Sequence, residues 1–329
     1  MKVLYAIQGT GNGHVSRARE LIPHLLPHTE LDILISGTHA EINPGHPVRY
    51  QRHGMGFIFG KAGGVDIKAS IRAARPWQFL RDIRQLKVKA YDLILNDFEP
   101  ISAYAAKIAG IKIRAISHQA AFLSPLSPRP KQHKSAFAEW MFRHYAPCHS
   151  AIGFHFKAYD NFIHTPIIRE EVRKLAPSLA DHICVYLPAY GDEQLIRHFT
   201  KRKEVRWQLF SKHTKNAYEQ ANVQVIPVSN ERYLASMAAA QGILTGGGFE
   251  TPAEALFLGK KLMVIPMENQ FEQHCNAAAL GQMGVPVCEQ INGGFSEVLK
   301  SWLYGGQALH YPFADNAKAV IAKALEPIG

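Results

Sequence analysis

Four stretches of the chain carry residue types that could do chemistry together. The first is Gly9-Thr10-Gly11-Asn12-Gly13-His14, directly after the apolar run from Lys2 to Ile7. Consecutive main-chain N–H groups in such a loop, feeding a helix, make a ready phosphate site. The second and third are Asn96-Asp97-Phe98-Glu99 and Ser117-His118-Gln119, which close the apolar runs Tyr91 to Leu95 and Ile111 to Ile116. If these runs are strands of one parallel sheet, His14, Asp97 and His118 stand on one rim, where open α/β sheets bind ligands. The fourth stretch, Ile243 to Asn276, reads ILTGGGFETPAEALFLGKKLMVIPMENQFEQHCN. Gly246-Gly247-Gly248 gives up side chains just before a helical pattern, so backbone donors and the positive helix end can approach a diphosphate. Glu254 follows one helical turn later, with a carboxylate able to hold vicinal hydroxyls. Glu268-Asn269-Gln270 and Glu272-Gln273 then crowd the carboxyl end of the run Leu262 to Ile265. A lone glycine run is more often a tight turn beside a solvated glutamate than a ligand cradle.

The elements that must position these residues alternate strand and helix. Lys2 to Ile7 and Leu31 to Ile35 read as strands around a helix from Arg17 to Leu26, with Ser16 as its cap. The third glycine of a dinucleotide fingerprint would fall on His14, and no acid closes the second strand, so a nicotinamide site is not expected. Val48 to Phe59 holds a further strand. Gly60 to Asp66 reads as a loop over the sheet edge, and Pro76 to Lys89 as a helix. Strand pattern resumes at Ala151 after the proline-rich Ser124 to Pro130. A second αβ series begins at Ile183 to Leu187 and continues through Val205 to Phe210 and Val223 to Val228. Val228-Ser229-Asn230 caps a helix from Glu231. The expected domains are therefore 1–165 and 166–311, and this alternation favours two largely parallel sheets.

Composition narrows the function classes. A chain of 329 residues with 47% hydrophobic content has room for two domains and a sizeable core. No apolar run approaches the roughly 18 residues of a membrane span. The first residues read as a strand rather than a secretory signal. The four cysteines, Cys148, Cys184, Cys275 and Cys288, form no C-x-x-C pair, and no metal-ligand spacing with histidine is visible. A reduced, cytoplasmic protein is expected. The net charge of +10 suits anionic partners, namely phosphate-bearing substrates or an anionic membrane. No nucleic-acid-binding motif is present.

The stretch from Ile243 to Asn276 resembles the donor-sugar motif of GT-B glycosyltransferases, above all the MurG-like branch and the UDP-glycosyltransferases. The positions that carry the likeness are the glycine loop, Thr251-Pro252-Ala253-Glu254, Val264-Ile265-Pro266, and Glu272-Gln273 with Asn276. The resemblance implies an α/β fold of the GT-B type, two Rossmann-like domains facing a central cleft, with the last helix (312–329) crossing back onto the first domain. It implies transfer of a sugar from a nucleotide-sugar, UDP-linked, to an acceptor hydroxyl that could be lipid-linked or part of a cell-envelope glycan. The nucleotide-sugar would be a co-substrate and no further cofactor is implied. His14 would be the general base, or a phosphate or loop contact, with Asp97 orienting it and Glu99 as the spare. Gly11, Asn12, Gly13 and His118 would line the acceptor side. Arg169, Val228, Gly246, Gly247, Gly248, Phe249, Thr251, Glu254, Gln270, Glu272 and Gln273 would hold the donor, Arg169 near its phosphates and Val228 by main-chain contact with the base. With no Asp-x-Asp motif, inversion without a metal is implied. The MurG-like His-Glu-Gln segment is here Ser117-His118-Gln119, so its glutamate is missing. A UDP-sugar 2-epimerase or a non-catalytic nucleotide-sugar binder would share the fold.

Lys131 to Tyr145 reads as an amphipathic helix with Ala138, Met141, Phe142 and Tyr145 on one face, and Lys131, Lys134 and Arg143 around it. Such a helix either packs on the core or rests on an anionic membrane, which would place the enzyme peripherally on the inner face of the plasma membrane.

Overall fold

The computed structural model describes residues 1–10, 12–37, 43–55 and 75–329. Gly11, the expected 60–66 loop and its Asp66 lie outside them. The first sheet holds β1 (Lys2–Gln8), β2 (Glu30–Ser36), β3 (Val48–Arg52), β4 (Leu93–Asp97), β5 (Ile113–Ser117), β6 (Ser150–Phe154) and β7 (Ile163–His164). All its pairs are parallel, in the order β3-β2-β1-β4-β5-β6-β7. Helices α1 (Asn12–Leu25), α2 (Pro76–Gln85), α3 (Pro100–Ala109) and α4 (Ala136–His144) connect them. The chain runs outward in both directions from β1, so the sheet switches direction between β1 and β4. Ile7 lies level with Asp97 across that pair. This is where an open sheet leaves a crevice.

The short α5 (Glu170–Arg173) leads to the second sheet: β8 (His182–Tyr186), β9 (Arg206–Ser211), β10 (Tyr218–Gln220), β11 (Val223–Pro227), β12 (Gly242–Gly246) and β13 (Lys261–Ile265). Its order is β10-β11-β9-β8-β12-β13, parallel except for the β10 edge hairpin. The helices are α6 (Asp192–Phe199), α7 (Asn230–Ala239), α8 (Glu250–Phe257), α9 (Phe271–Gln282) and α10 (Phe295–Gly305). The switch here lies between β8 and β12, which places the glycine loop after β12 at the second crevice. Inner strands such as β8, β12 and β13 are buried over most of their length because helices cover both faces.

The last helix, α11 (Ala317–Ala324), packs against α1, burying Val320, Ile321 and Ala324 in one core with Leu21, Ile22 and Leu25. Arg114 of β5 donates to the carbonyls of Lys323 (2.9 Å), Ala324 (2.6 Å) and Glu326 (2.8 Å). A guanidinium there satisfies the open carbonyls of the helix end and complements its negative pole. The final helix is thus tied to the first sheet.

Four elements differ from what the sequence predicts. The first helix starts at Asn12, so Ser16 lies inside it and His14 in its first turn. The β1–α1 turn is that tight because Gly9 packs on β2: its N–H donates to the Ser36 carbonyl (2.7 Å), and a Cβ would sit 2.9 Å from Ile35. Helix α4 starts at Ala136 rather than Lys131, because Ser135 caps it by accepting from Ala138 N. The two-residue β7 and the exposed β10 carry too little pattern to be seen in the sequence.

Candidate active site

Across the first switch point, His14 Nδ1 lies 2.7 Å from Asp97 Oδ1. A carboxylate accepts, so Nδ1 carries the proton and Nε2 is left as the basic nitrogen. Arg17, one turn further along α1, places Nη2 2.8 Å from both Asp97 oxygens and 3.3 Å from His14 Nδ1. Arg17 and Asp97 are both buried, at 3% and 0% exposure. Burial works to raise the Asp97 carboxyl, but Arg17 and His14 outweigh it and hold the group below its usual range. The next residue, Phe98, has φ +55, a left-handed conformation that costs a non-glycine residue of order 1–3 kcal/mol. Glu99 is not a spare base. Its two oxygens accept from Ile101 N (2.8 Å) and Ser102 N (2.7 Å), capping α3 in full burial.

In the second crevice the three glycines are not equivalent. A Cβ at Gly247 would sit 2.8 Å from the Gln273 carbonyl and 3.2 Å from Pro266, so this glycine lets α9 close on the loop. Its N–H donates to Gln273 Oε1 (3.1 Å), which also accepts from Met267 N (3.0 Å), and its carbonyl accepts from Asn276 Nδ2 (3.1 Å). Gln273, expected on the donor, thus uses its Oε1 to hold the loop to the end of β13. At Gly248 nothing stands within 4 Å of a Cβ, and at Gly246 only Gln273 Oε1 (3.6 Å) and the Ile265 carbonyl (3.9 Å) do. The open side of the loop is thus at Gly246 and Gly248, just before the α8 N-terminus. Thr251 lies in that first turn, partly exposed.

Glu254 and Arg169, both expected on the donor, meet each other. Arg169 Nε donates to Glu254 Oε1 (2.5 Å) and Nη2 to Oε2 (2.8 Å), while Nη1 reaches Glu171 (2.5 Å) and Asn230 (2.8 Å). The guanidinium is thus committed to protein acceptors; its expected place is on the phosphates. Glu254 is buried, and burial pushes its carboxyl up against the pull of Arg169. Each of its oxygens keeps a second lone pair for a hydroxyl. Val228 is exposed just past β11, and Ser229 caps α7.

Two expected contacts prove to be packing. His118 is 2% exposed, with Nδ1 on the Phe154 carbonyl (2.7 Å) and Nε2 on Asn276 Oδ1 (2.9 Å). Its ring stacks on Phe249 at 4.0 Å and 7°. Both nitrogens face protein acceptors, one in each half, and the neutral ring donates to one of them at a time; burial holds its pKa below the usual value, with Glu272 opposing. Phe249, buried at 6%, belongs to the same junction through its stack on His118. Glu272 accepts from Gln119 Nε2 (3.0 Å) yet also lines a cavity of about 500 Å³ between the halves, with Gln270, Phe98, Phe142 and Phe271. Asn12 and Gly13 stand at the open start of α1.

Sequence reading missed Arg17 and Glu250. Arg17 Nη1 donates to Glu250 Oε1 (2.8 Å), and a Cβ at Gly13 would lie 3.5 Å from the Glu250 side chain. Burial, with Glu254 adding, pushes the Glu250 carboxyl up to about 7 against the pull of Arg17. One arginine thus joins the His14–Asp97 pair to the first residue of the helix after the glycine loop. The signal was there in part: His14 and Arg17 are three residues apart and share a helix face, but placing the helix start at Ser16 hid it.

The chain matches the family model of glycosyl transferase family 1 over residues 1–304. Among solved structures it is similar to MurG of Acinetobacter baumannii, with TM-score 0.59 and 14% identity over 98% of each chain. It is likewise similar to a Polygonum tinctorium UDP-glucosyltransferase capable of glucosylating indoxyl, with TM-score 0.61 and 13% identity over 98% of this chain and 93% of that one. The spinosyn rhamnosyltransferase SpnG, complexed with thymidine diphosphate, gives TM-score 0.58 and 14% identity over 98% and 95%. No curated protein sequence matches. Those identities speak for the fold, and the family model for membership. With two largely parallel sheets and a family match over most of its length, the chain belongs to glycosyl transferase family 1 and is a glycosyltransferase of the GT-B type.

Proposed function

We propose that the enzyme moves a sugar from a nucleoside-diphosphate sugar to an acceptor hydroxyl, with inversion and with no metal at the diphosphate. Residues 166–311 would bind the donor and 1–165, joined by 312–329, the acceptor. The observation that carries this reading is the line from His14 through Asp97 and Arg17 to Glu250 at the head of α8. It brings a tautomer-fixed base to the edge of an anion-suited loop.

In the reaction, His14 Nε2 takes the hydroxyl proton as the acceptor oxygen bonds to the anomeric carbon from the face opposite the diphosphate. The bond from that carbon to the diphosphate oxygen breaks, and its electron pair leaves with the nucleotide. Asp97 supports the imidazolium, a contribution of ~10²–10⁴-fold being usual for such a base. The growing leaving-group charge falls on the backbone donors around Gly248 and the α8 N-terminus. Arg169 then acts by orienting Glu254 toward the ribose hydroxyls. Family likeness favours uridine, and the complex of the related rhamnosyltransferase makes thymidine the first competitor. A thermal-shift panel of UDP- and TDP-sugars tests the donor class, since donor binding raises the melting temperature by mass action. No shift with either series would remove it.

The acceptor would carry an apolar part, because Phe98, Phe137, Met141, Phe142 and Phe271 line the cleft cavity. Phe137 and Trp140 of α4 are half exposed, at 50% and 53%, beside exposed Lys131, Lys134 and Arg143. We propose that this face rests on anionic membrane when the acceptor is lipid-linked. Among the described residues no helix is long and apolar enough to cross one. Co-sedimentation with anionic vesicles that fades at high salt supports the contact. Equal, negligible binding to anionic and neutral vesicles points to an acceptor free in solution.

A further inference from the structure

Away from the catalytic pair, His133, His274 and Glu289 place one ligand atom each within 4.8 Å of one another. We propose that they bind a divalent cation of the zinc class and that the ion fastens the two halves of the enzyme together. His133 belongs to the first half, in the turn before α4. His274 and Glu289 belong to the second, on α9 and in the segment before α10.

His274 is the fixed ligand. It is 4% exposed, and its Nε2 lies 2.9 Å from the Glu268 carbonyl. A carbonyl only accepts, so Nε2 carries the proton and Nδ1 presents its lone pair toward Glu289 Oε2, 3.6 Å away. A metal-binding histidine is held in this way, its second nitrogen donating to a backbone carbonyl. His133 Nε2 lies 3.7 Å from the same oxygen. These separations are too long for hydrogen bonds. They are close to the ~3.3 Å between neighbouring ligands of a tetrahedral zinc, given zinc–nitrogen distances of about 2.0–2.1 Å.

The other two ligands can move. His133 and Glu289 are exposed. The imidazoles of His133 and His274 stack at 4.4 Å and 18°, so His133 must turn to bring its lone pair in plane with an ion on His274. His133 holds φ +60, a left-handed backbone unusual for histidine, which aims its ring across the cleft. Two imidazoles and one carboxylate suit zinc and disfavour magnesium, which prefers oxygen donors. Three protein ligands leave a fourth position for water or an anionic ligand group, and His133 and His274 both line the 500 Å³ cavity.

The test uses the full chain stripped with a chelator, titrated calorimetrically with zinc and with magnesium, beside His133→Ala and Glu289→Gln. Both substitutions are at exposed positions and should leave the circular dichroism spectrum unchanged. We expect one zinc per chain, no magnesium binding, and at least a tenfold loss of zinc affinity in each variant. Zinc should also raise the melting temperature and slow amide exchange in the Lys131–Ser135 turn of the wild type alone. The chain has 17 histidines. Zinc binding of equal affinity in wild type and His133→Ala would place the ion on others and overturn the assignment, as would no binding at all. Zinc binding that leaves exchange in that turn unchanged would overturn the fastening role.

Discussion

At the scale of single residues, Arg17 decides how the site behaves. Its guanidinium is divided between Asp97 and Glu250, so it links the His14–Asp97 pair to the head of α8. Burial pushes the Glu250 carboxyl up to about 7 from its ordinary 4.5, against the pull of Arg17. A raised carboxyl contributes stability that is complete below its ordinary pKa and lost as pH rises through the folded value. Between about pH 4.5 and 7 the wild type should therefore lose stability that Glu250→Gln keeps. Denaturant melts of both proteins across that window check this, and parallel curves would show that Glu250 carries no such strain. For Glu254, Glu254→Gln should weaken nucleotide affinity by ~1–3 kcal/mol if the carboxylate holds ribose hydroxyls. Unchanged affinity by calorimetry would leave Glu254 only as the partner of Arg169. The sequence showed Glu254, Arg169, His14 and Asp97 as polar residues in telling places. It could not show that the first two pair with each other, because partners 85 positions apart meet only through the fold.

At the scale of elements, the glycine loop was legible as a loop but not in its division of labour. Gly247→Ala would drive a Cβ against the Gln273 carbonyl and Pro266, both backbone held by the sheet and α9. It should destabilise the protein by ~1–3 kcal/mol, the usual range for overpacking. Gly248→Ala meets open space and should leave the melting temperature of the protein alone nearly unchanged, while weakening nucleotide binding about tenfold or more, because the methyl enters the approach to the α8 N-terminus. Paired melting and binding curves separate the two, and equal effects of both substitutions would contradict the division. Most inner strands came through because each is a short apolar run bounded by turn residues, whereas the two-residue β7 and the exposed β10 did not. Helix α9 did not, since polar residues interrupt its apolar face, as at Phe271-Glu272-Gln273-His274. His118 went astray for a related reason. A histidine at a strand's carboxyl end points to a cleft unless another domain covers it, and here Phe249 and Asn276 do.

At the scale of the whole molecule, the two switch points and α11 make the enzyme one working body. Each sheet opens its crevice where strand order reverses, β1 beside β4 and β8 beside β12. The junction of His118, Phe249 and Asn276 then holds the crevices toward each other. The family and the fold were readable from Ile243 to Asn276 alone, because that motif's order is tied to one topology. Which residues cross between the halves was not, since no local pattern encodes a contact between two domains. The central claim is that His14, fixed by Asp97, is the base for transfer onto an acceptor hydroxyl. Its most direct test is the turnover of His14→Ala beside its nucleotide affinity, once a donor and acceptor are in hand. A fall of ~10²–10⁴ in kcat is expected, with nucleotide Kd within about twofold of wild type. Near-normal turnover in His14→Ala would contradict it.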